Sequence, residues 1–512
     1  VWLGGSYLNT GSFTWNGLSV GAGYAYSSSH DAVALRGNID TRTTADTSIG
    51  GDVWIAGESG NATSADVGSE GAVRAIYAGN GDIALITHSY RHYNSNNYQT
   101  DLVTTGQISV APISGADWNA TTFTFNYTMN GSWFEGNNDM EQIHISNFTS
   151  IGGLNLGTYN GTDVGGDSSY VASNANNMTI SKGITINGPI RVTGGDIFAN
   201  YSITSTATSG HIKLLASDDI TIGSGKIFTT SGSGGDVIFA ADTDNSSGGA
   251  ISASGALTIS TNGGDIVLGG GDTSGSDFTD GADNNQVGII ITGDIDFDSQ
   301  GGDIALRGES TAGNSDSAGI IFGGLVDIQS GAGTILIHGI NSSSSSDNTN
   351  ESSAISIQAN QNHIIKSLNT TSSAITITAD ASSSPGGRGL DVFNDIDIIA
   401  SATGGGITLN GYNSDARTWA IHLGAGSNIL ANGGDINLNA YPDNEGDYGY
   451  LHIPGITIGS KASSDVTSSS SDITLTADYF DLDGSDPTIN TTGALWIQSY
   501  SSTWTSFGDR GD

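Results

Sequence analysis

Apolar residues in this chain recur as i, i+2 pairs broken by short Gly-rich polar corners. In "ALTISTNGGDIVLGGGDTSG" (256–275), Leu257 and Ile259 form one pair, "TNGGD" interrupts, and Ile266 and Leu268 form the next. Alternation with period two is the pattern of a strand with one face buried. The phrase recurs as "GGDIFA" at 194, "GGDVIFA" at 234, "GGDIALRG" at 301 and "GGDINLNA" at 433. Looser copies are "GTILIHG" at 333, "SAITITA" at 373, "GGITLNG" at 405 and "SDITLTA" at 471. The central Ile repeats at intervals of about 28 to 40 residues, a solenoid spacing.

Two further strands share this phase. An apolar residue stands seven positions before the central Ile in Ile190/Ile197, Ile259/Ile266, Phe297/Ile304, Ile328/Ile335, Leu368/Ile375 and Ile429/Ile436. Upstream again lie "GIIITG" at 288, "GIIFGG" at 319, "AISIQA" at 354, "LDVFN" at 390, "AIHLGA" at 420 and "YLHIPG" at 450. Each repeat therefore predicts three short strands and then a polar loop. Loops such as "GDTSGSDFTDGADNNQ", "INSSSSSDNTNESS" and "YPDNEGDYG" vary in length and fall at one corner of the repeat. The expected fold is all-β: a parallel β-helix of about three strands per rung, with equivalent Ile, Leu and Val residues stacked in columns about 4.8 Å apart. A hairpin does not account for the recurrence of "NGG" in phase with two other strands.

The regular rungs occupy 178–512. Residues 1–106 hold looser copies, "DAVALRG" at 31, "IGGDVWIAG" at 49 and "GNGDIALITHSY" at 79. Between them, 107–177 loses the phrase and gains aromatics in "DWNATTFTFNYTMNGSWFEG". It reads as an elaborated stretch of solenoid or a small β insertion.

Composition alters this picture in two ways. Only 36% of the 512 residues are hydrophobic and 76 are Gly, so no single thick core is available. A thin core, extended rung by rung, needs less. The 52 acidic against 14 basic residues give a net charge of −38. That excludes nucleic-acid binding, which rests on clustered Lys and Arg, and disfavours an anionic membrane surface. No run of 18 or more apolar residues occurs. Cysteine is absent, removing thiol chemistry and Cys-ligated zinc. The chain begins at Val1 without a Met or signal-like segment, and is read as processed or excised.

The stretches "GQISVAPISG" (106–115), "ISNFTSIGGLNLGTYNG" (145–161) and "MTISKGITINGPIRVTGGDIFANYSITS" (178–205), with the rungs above, resemble the repeat regions of large bacterial surface proteins of the filamentous haemagglutinin-like type. The resemblance implies a right-handed parallel β-helix, secretion to the cell surface, and a role in adhesion or an extracellular fibre. It supplies no catalytic residue.

Candidate chemistry is sparse. Asp294, Asp296 and Asp298 in "GDIDFDSQ", and Asp395 and Asp397 in "NDIDII", alternate with apolar residues as a solvated strand face does. The histidines show no metal-ligand spacing. Asp481, Asp483 and Asp486 in "DYFDLDGSDPT" present oxygen ligands on a Gly-bent loop suited to calcium, although an ordinary polar turn reads the same way and no cofactor is required. Asn61, Asn126, Asn147 and Asn369 lie in Asn-x-Ser/Thr triplets, and the terminal Arg510–Asp512 tripeptide reads as coincidence. Tyr90, His92, Tyr93 and Tyr98, with Tyr441, Tyr448 and Tyr450, are the candidate contact surface, since amphipathic rings beside Asn and Asp suit sugars or proteins. The expected protein is a non-enzymatic, extracellular adhesin or fibre component. Its expected partners are further copies of itself, surface glycans or other cell-surface proteins. A polysaccharide-degrading β-helix enzyme and a carbohydrate-binding module are the alternatives.

Overall fold

The structure is a computed structural model. It describes residues 189–500 apart from the segments 246–247, 273, 277–278, 281–286, 312–316, 344–352, 415–417, 443–448, 462–465, 467–469 and 482–485. Before residue 189 it describes chiefly the strands and the segments 38–47, 49–51 and 74–81, and after 500 only Ser506–Phe507. The described elements are strands, organised as a right-handed parallel β-helix with three strands per turn. The chain falls into two compact units, Val1–Ser217 with Thr229–Gly235, and Asp218–Phe228 with Asp236–Asp512.

In the second unit each turn passes through three sheets. In one such turn Val287–Ile291 lies in the second sheet, Ile295–Asp298 in the third and Ile304–Ser310 in the first. The next turn repeats this order with Ala318–Phe322, Val326–Gln329 and Ile335–Asn341. Pairing is parallel and residue for residue, apart from a shift between Trp419 and Ile421 where Trp419–Leu423 meets Tyr450–His452. Ile266, Ile304, Ile335, Ile375, Ile407, Ile436 and Ile473 form one continuous column. All seven are buried. Leu257, Ile295 and Val326, and Ile289, Ile320 and Ile355, form inward columns of the other two sheets. Each buried Ile contributes roughly 1.5–3 kcal/mol.

The "GGD" corner between the third and first sheets has a distinct use for each residue. Gly263 adopts φ +83°, which a side chain would strain. A Cβ on Gly302, the second glycine of its copy, would run into the Gly264 carbonyl of the turn before. The aspartate ties one turn to the next. The Asp265 amide donates to Asp236 Oδ1 at 2.9 Å and the Asp303 amide to Asp265 Oδ1 at 2.8 Å. The Thr334 amide then donates to Asp303 Oδ1 at 2.7 Å. Burial, with the charges of Asp236 and Asp303 on either side, pushes the Asp265 carboxyl above its ordinary value. A buried hydroxyl column lines the inside of the same corner. Thr261 Oγ1 reaches the Ser299 carbonyl at 3.0 Å and Ser299 Oγ the Ser330 carbonyl at 3.0 Å. Ser367 Oγ donates to the Gly333 carbonyl at 2.8 Å.

At the corner between the first and second sheets, two strands approach backbone to backbone. Gly308 faces Gly319, Gly339 faces Ala354 and Gly411 faces Ala420, with no room for larger side chains. Beyond these contacts run the long loops, as the sequence predicts. One long connection departs from that rule: 460–472, after Thr457–Gly459, lies between the third and first sheets.

Two expectations of register are corrected. Leu368 is 49% exposed, and Ile365 takes its place in the column beside Ile328. The corner after Ser367 is longer than its neighbours, so the fixed seven-residue offset fails there. "GGDIFA" at 194 begins a different strand of the turn. Ile197–Ala199 pairs with Met178–Ile180, whereas the strand equivalent in that turn is Ile190–Gly194, paired with Ile212–Ala216.

In the first unit Val53–Ser59, Ile83–Ile86, Ile108–Ala111, Leu154–Leu156, Ile190–Gly194 and Ile212–Ala216 stack in parallel. Arg74–Gly79, Thr100–Thr104 and Ile145–Ser150 form a second stack. Val33–Leu35, Val67–Glu70 and Tyr90–Tyr93 form a third. Within 107–177 the parallel strands persist, and an antiparallel hairpin of Ala116–Asn119 with Thr124–Tyr127 is inserted between them.

Replacing Ile304 by Ala removes one member of a fully packed column, and the expected loss is about 2–5 kcal/mol. Gly302→Ala is expected to destabilise as well, through a backbone that has nowhere to move. Denaturant midpoints measure both. A Gly302→Ala midpoint equal to that of the unaltered chain contradicts the stacked corner.

Candidate contact face

The outer surface of the first sheet changes character along the second unit. Arg307 and His338 stand in one outward column, and the next position in that column is Thr378. On the two rows that follow, the outward residues carry no charge. Thr408, Asn437, Thr474 and Trp496 form one row, and Asn410, Asn439, Thr476 and Gln498 the next. Tyr412 pairs with Tyr441 in a third row that begins at Asp380. Strand alternation produces this surface directly, because "ITLNGYN" and "INLNAYP" bury Ile, Leu and Gly or Ala and turn Thr, Asn and Tyr outward.

The rows are bonded along their length. Asn439 Nδ2 donates to Asn410 Oδ1 at 3.0 Å, and Gln498 Nε2 to Thr476 Oγ1 at 3.0 Å. The Tyr412 and Tyr441 rings stack at 4.8 Å, and Tyr500 meets Tyr441 edge-on at 5.1 Å. Burial raises the hydroxyl pKa of Tyr412 and Tyr441, so both stay neutral donors. Trp496 and Tyr500 are 61% and 56% exposed. The result, beyond Asp380, is an uncharged surface of rings, amides and hydroxyls.

A second cluster lies on the outer side of the second sheet, where Asp391, His422, His452 and Asp481 succeed one another in register. Asp391 is buried and doubly engaged, by Arg388 Nη1 at 2.7 Å and by His422 Nδ1 at 2.6 Å. Trp419 covers the pair, with its ring 4.3 Å from that of His422 and 5.1 Å from that of His452, and Arg388 lies over it at 4.6 Å. The two histidine rings stack at 4.8 Å. His452 Nδ1 is buried without a hydrogen-bond partner. The arrangement is a covered ion pair under a ring stack, and losing both partners of Asp391 would leave a buried charge uncompensated.

The predicted site residues are distributed unevenly. Tyr441 belongs to the uncharged face. Tyr450 is only 8% exposed and packs on Tyr479 at 4.7 Å, so it lies beneath the surface. Tyr90, His92 and Tyr93 lie on the strand Tyr90–Tyr93, with no description of their side chains, and Tyr98 and Tyr448 lie outside the described residues. Asp481 is buried beside His452, Asp486 is exposed, and Asp483 lies outside the described residues. Among the described residues, no group of three metal-ligating side chains includes Asp481 or Asp486. The Asp294 and Asp298 carboxylates accept backbone amides, from Leu325 at 2.9 Å and Gln300 at 3.0 Å. Asp296 stands opposite Asp327, and burial with that neighbouring charge raises its pKa.

No match came from protein-family models, curated proteins or solved structures. The function is therefore argued from the residues themselves. Neither the Thr/Asn rows nor the Asp–His–His–Asp column was expected as a site. The signal for the column was present all the same: "LDVFN", "AIHLGA" and "YLHIPG" each place a polar residue at the same point between two apolar ones.

Buried histidines give the fold a pH dependence. His363 is held neutral, since the Val326 amide donates to its Nδ1 at 3.2 Å and its Nε2 bonds the Ala359 carbonyl at 3.0 Å. Burial lowers the pKa of His363, and of His338 and His452, below the ordinary 6.5. As pH falls below 6.5, the unfolded chain takes up protons that the folded chain refuses, so stability declines down to each folded pKa. Melting temperature is expected to fall between pH 7.5 and about 5, and His363→Gln to flatten the slope. A melting temperature that rises over that interval contradicts the assignment.

Proposed function

We propose that this chain is an extracellular, structural and adhesive β-solenoid, forming part of a cell-surface fibre, sheath or adhesin and associating with further copies of itself. The observation that carries the reading is the turn-upon-turn parallel stacking of the second unit, with its continuous isoleucine column. A stack of that kind is stiff along its axis, and its loops and outer faces serve as contact surface. The filamentous haemagglutinin-like resemblance accords with this role. So does the charge of −38, which keeps single copies soluble and apart until counter-ions mute it.

Self-association has a specific support. On the strand Leu495–Gln498, Leu495 and Ile497 continue the inward columns of Ile473 and Leu475 but are 44% and 37% exposed. Exposed apolar rows of this kind favour contact with another copy. Calcium is expected to promote assembly by screening carboxylates.

Light scattering and negative-stain imaging of the chain, with and without calcium, are the test. Oligomers or filaments that grow with calcium or salt are expected, and Ile497→Lys, at an exposed position, should reduce them several-fold while leaving the melting temperature within a few degrees. Compact monomers under every condition would overturn the reading.

A further inference from the structure

We infer that the uncharged outer face of the first sheet, from Thr408 to Tyr500, binds an extended neutral polysaccharide. The inference rests on the contact role proposed above and assigns it one face and one class of ligand.

Three features of the face select this chemistry. The first is its rings. Tyr412, Tyr441 and Tyr500 form a continuous cluster and Trp496 stands exposed, so apolar ring faces are presented beside polar neighbours. The C–H faces of a pyranose pack on such rings while its hydroxyls stay in contact with water or protein. The second is the Asn, Gln and Thr rows. An amide offers both donors and an acceptor, and a hydroxyl does both, which matches sugar hydroxyls that also do both. These groups are already aligned by Asn439 to Asn410 and Gln498 to Thr476 bonds. Little side-chain freedom then remains to be lost on binding.

The third feature is charge. The face carries none between Thr408 and Gln498 along its two Asn/Thr rows, in a chain with 52 acidic residues. Uronic-acid or sulfated polymers would be repelled by the surrounding carboxylates and would find no Arg or Lys on the rows. A neutral polymer meets neither obstacle. The repeat points to a chain lying along the surface, because equivalent side chains recur at the strand spacing from turn to turn.

The test is affinity electrophoresis of the chain through gels containing laminarin, glucomannan, xyloglucan or polygalacturonate. Retardation by at least one of the three neutral polymers is expected, and none by polygalacturonate. The double variant Trp496→Ala/Tyr500→Ala should weaken that retardation roughly tenfold or more, with Thr258→Ala, on the outer side of the third sheet, unchanged. Circular dichroism verifies that each variant is folded. Tryptophan emission gives a second readout, since Trp496 should become protected from acrylamide when the polymer is bound. Failure to bind any of the three neutral polymers overturns the inference, as does equal retardation by polygalacturonate or undiminished binding by the double variant. Filaments without glycan binding would overturn this inference alone, whereas glycan-binding monomers would overturn the self-association reading and leave this one standing.

Discussion

A parallel strand satisfies its backbone only through the strands above and below it, so successive described turns place their strands one strand-spacing apart and, apart from local shifts such as that at Trp419/Ile421, in the same register. That requirement governs the rest of the molecule. It forces like residues into columns, which is why Ile266, Ile304 and Ile335 coincide. It also forces like charges together, as with Asp296 and Asp327. The chain meets the second problem by giving the corner aspartates backbone amides to hold. Asp265 and Asp303 each accept an amide from the following turn, so a potential repulsion becomes part of the ladder.

The same requirement shapes the corners. Chain reversal in a narrow coil leaves little space, and Gly235, Gly302 and Gly434, the second glycines of three "GGD" copies, each stack on a carbonyl of the previous turn. Where first and second sheets converge, Gly and Ala columns let backbones touch. The loops beyond that contact, and the connection 460–472, escape the constraint, and their lengths differ from turn to turn. Outward positions escape it too, which is how an uncharged Thr/Asn/Tyr face and an Asp–His–His–Asp column can be carried on one scaffold.

Much of the fold was legible in the sequence because period-two alternation and rung phase are both local signals. Strand order within the turn, the inward columns and most loop positions follow from them. Leu368 and "GGDIFA" at 194 were misplaced for a shared reason: corners of different length, and different corners, can use the same glycines, and only pairing partners distinguish them. The contact residues were less legible. Tyr441 could be picked out as a ring beside a loop, but Tyr450 flanks the same loop and lies buried on Tyr479. Asn410 and Asn439 are unremarkable singly, and become a surface only through a register that joins residues a full turn apart.

The register is therefore the claim to test most directly, and the absence of native cysteine makes that simple. Thr408 and Asn437 are paired outward neighbours on adjacent turns, at about 4.8 Å, within the Cα separation a disulfide spans. The double variant Thr408→Cys/Asn437→Cys is predicted to form an intramolecular disulfide under mild oxidation, while Thr408→Cys/Asn439→Cys, displaced by two residues, is not. Equal cross-linking of both pairs, or cross-linking of the displaced pair alone, would contradict the account.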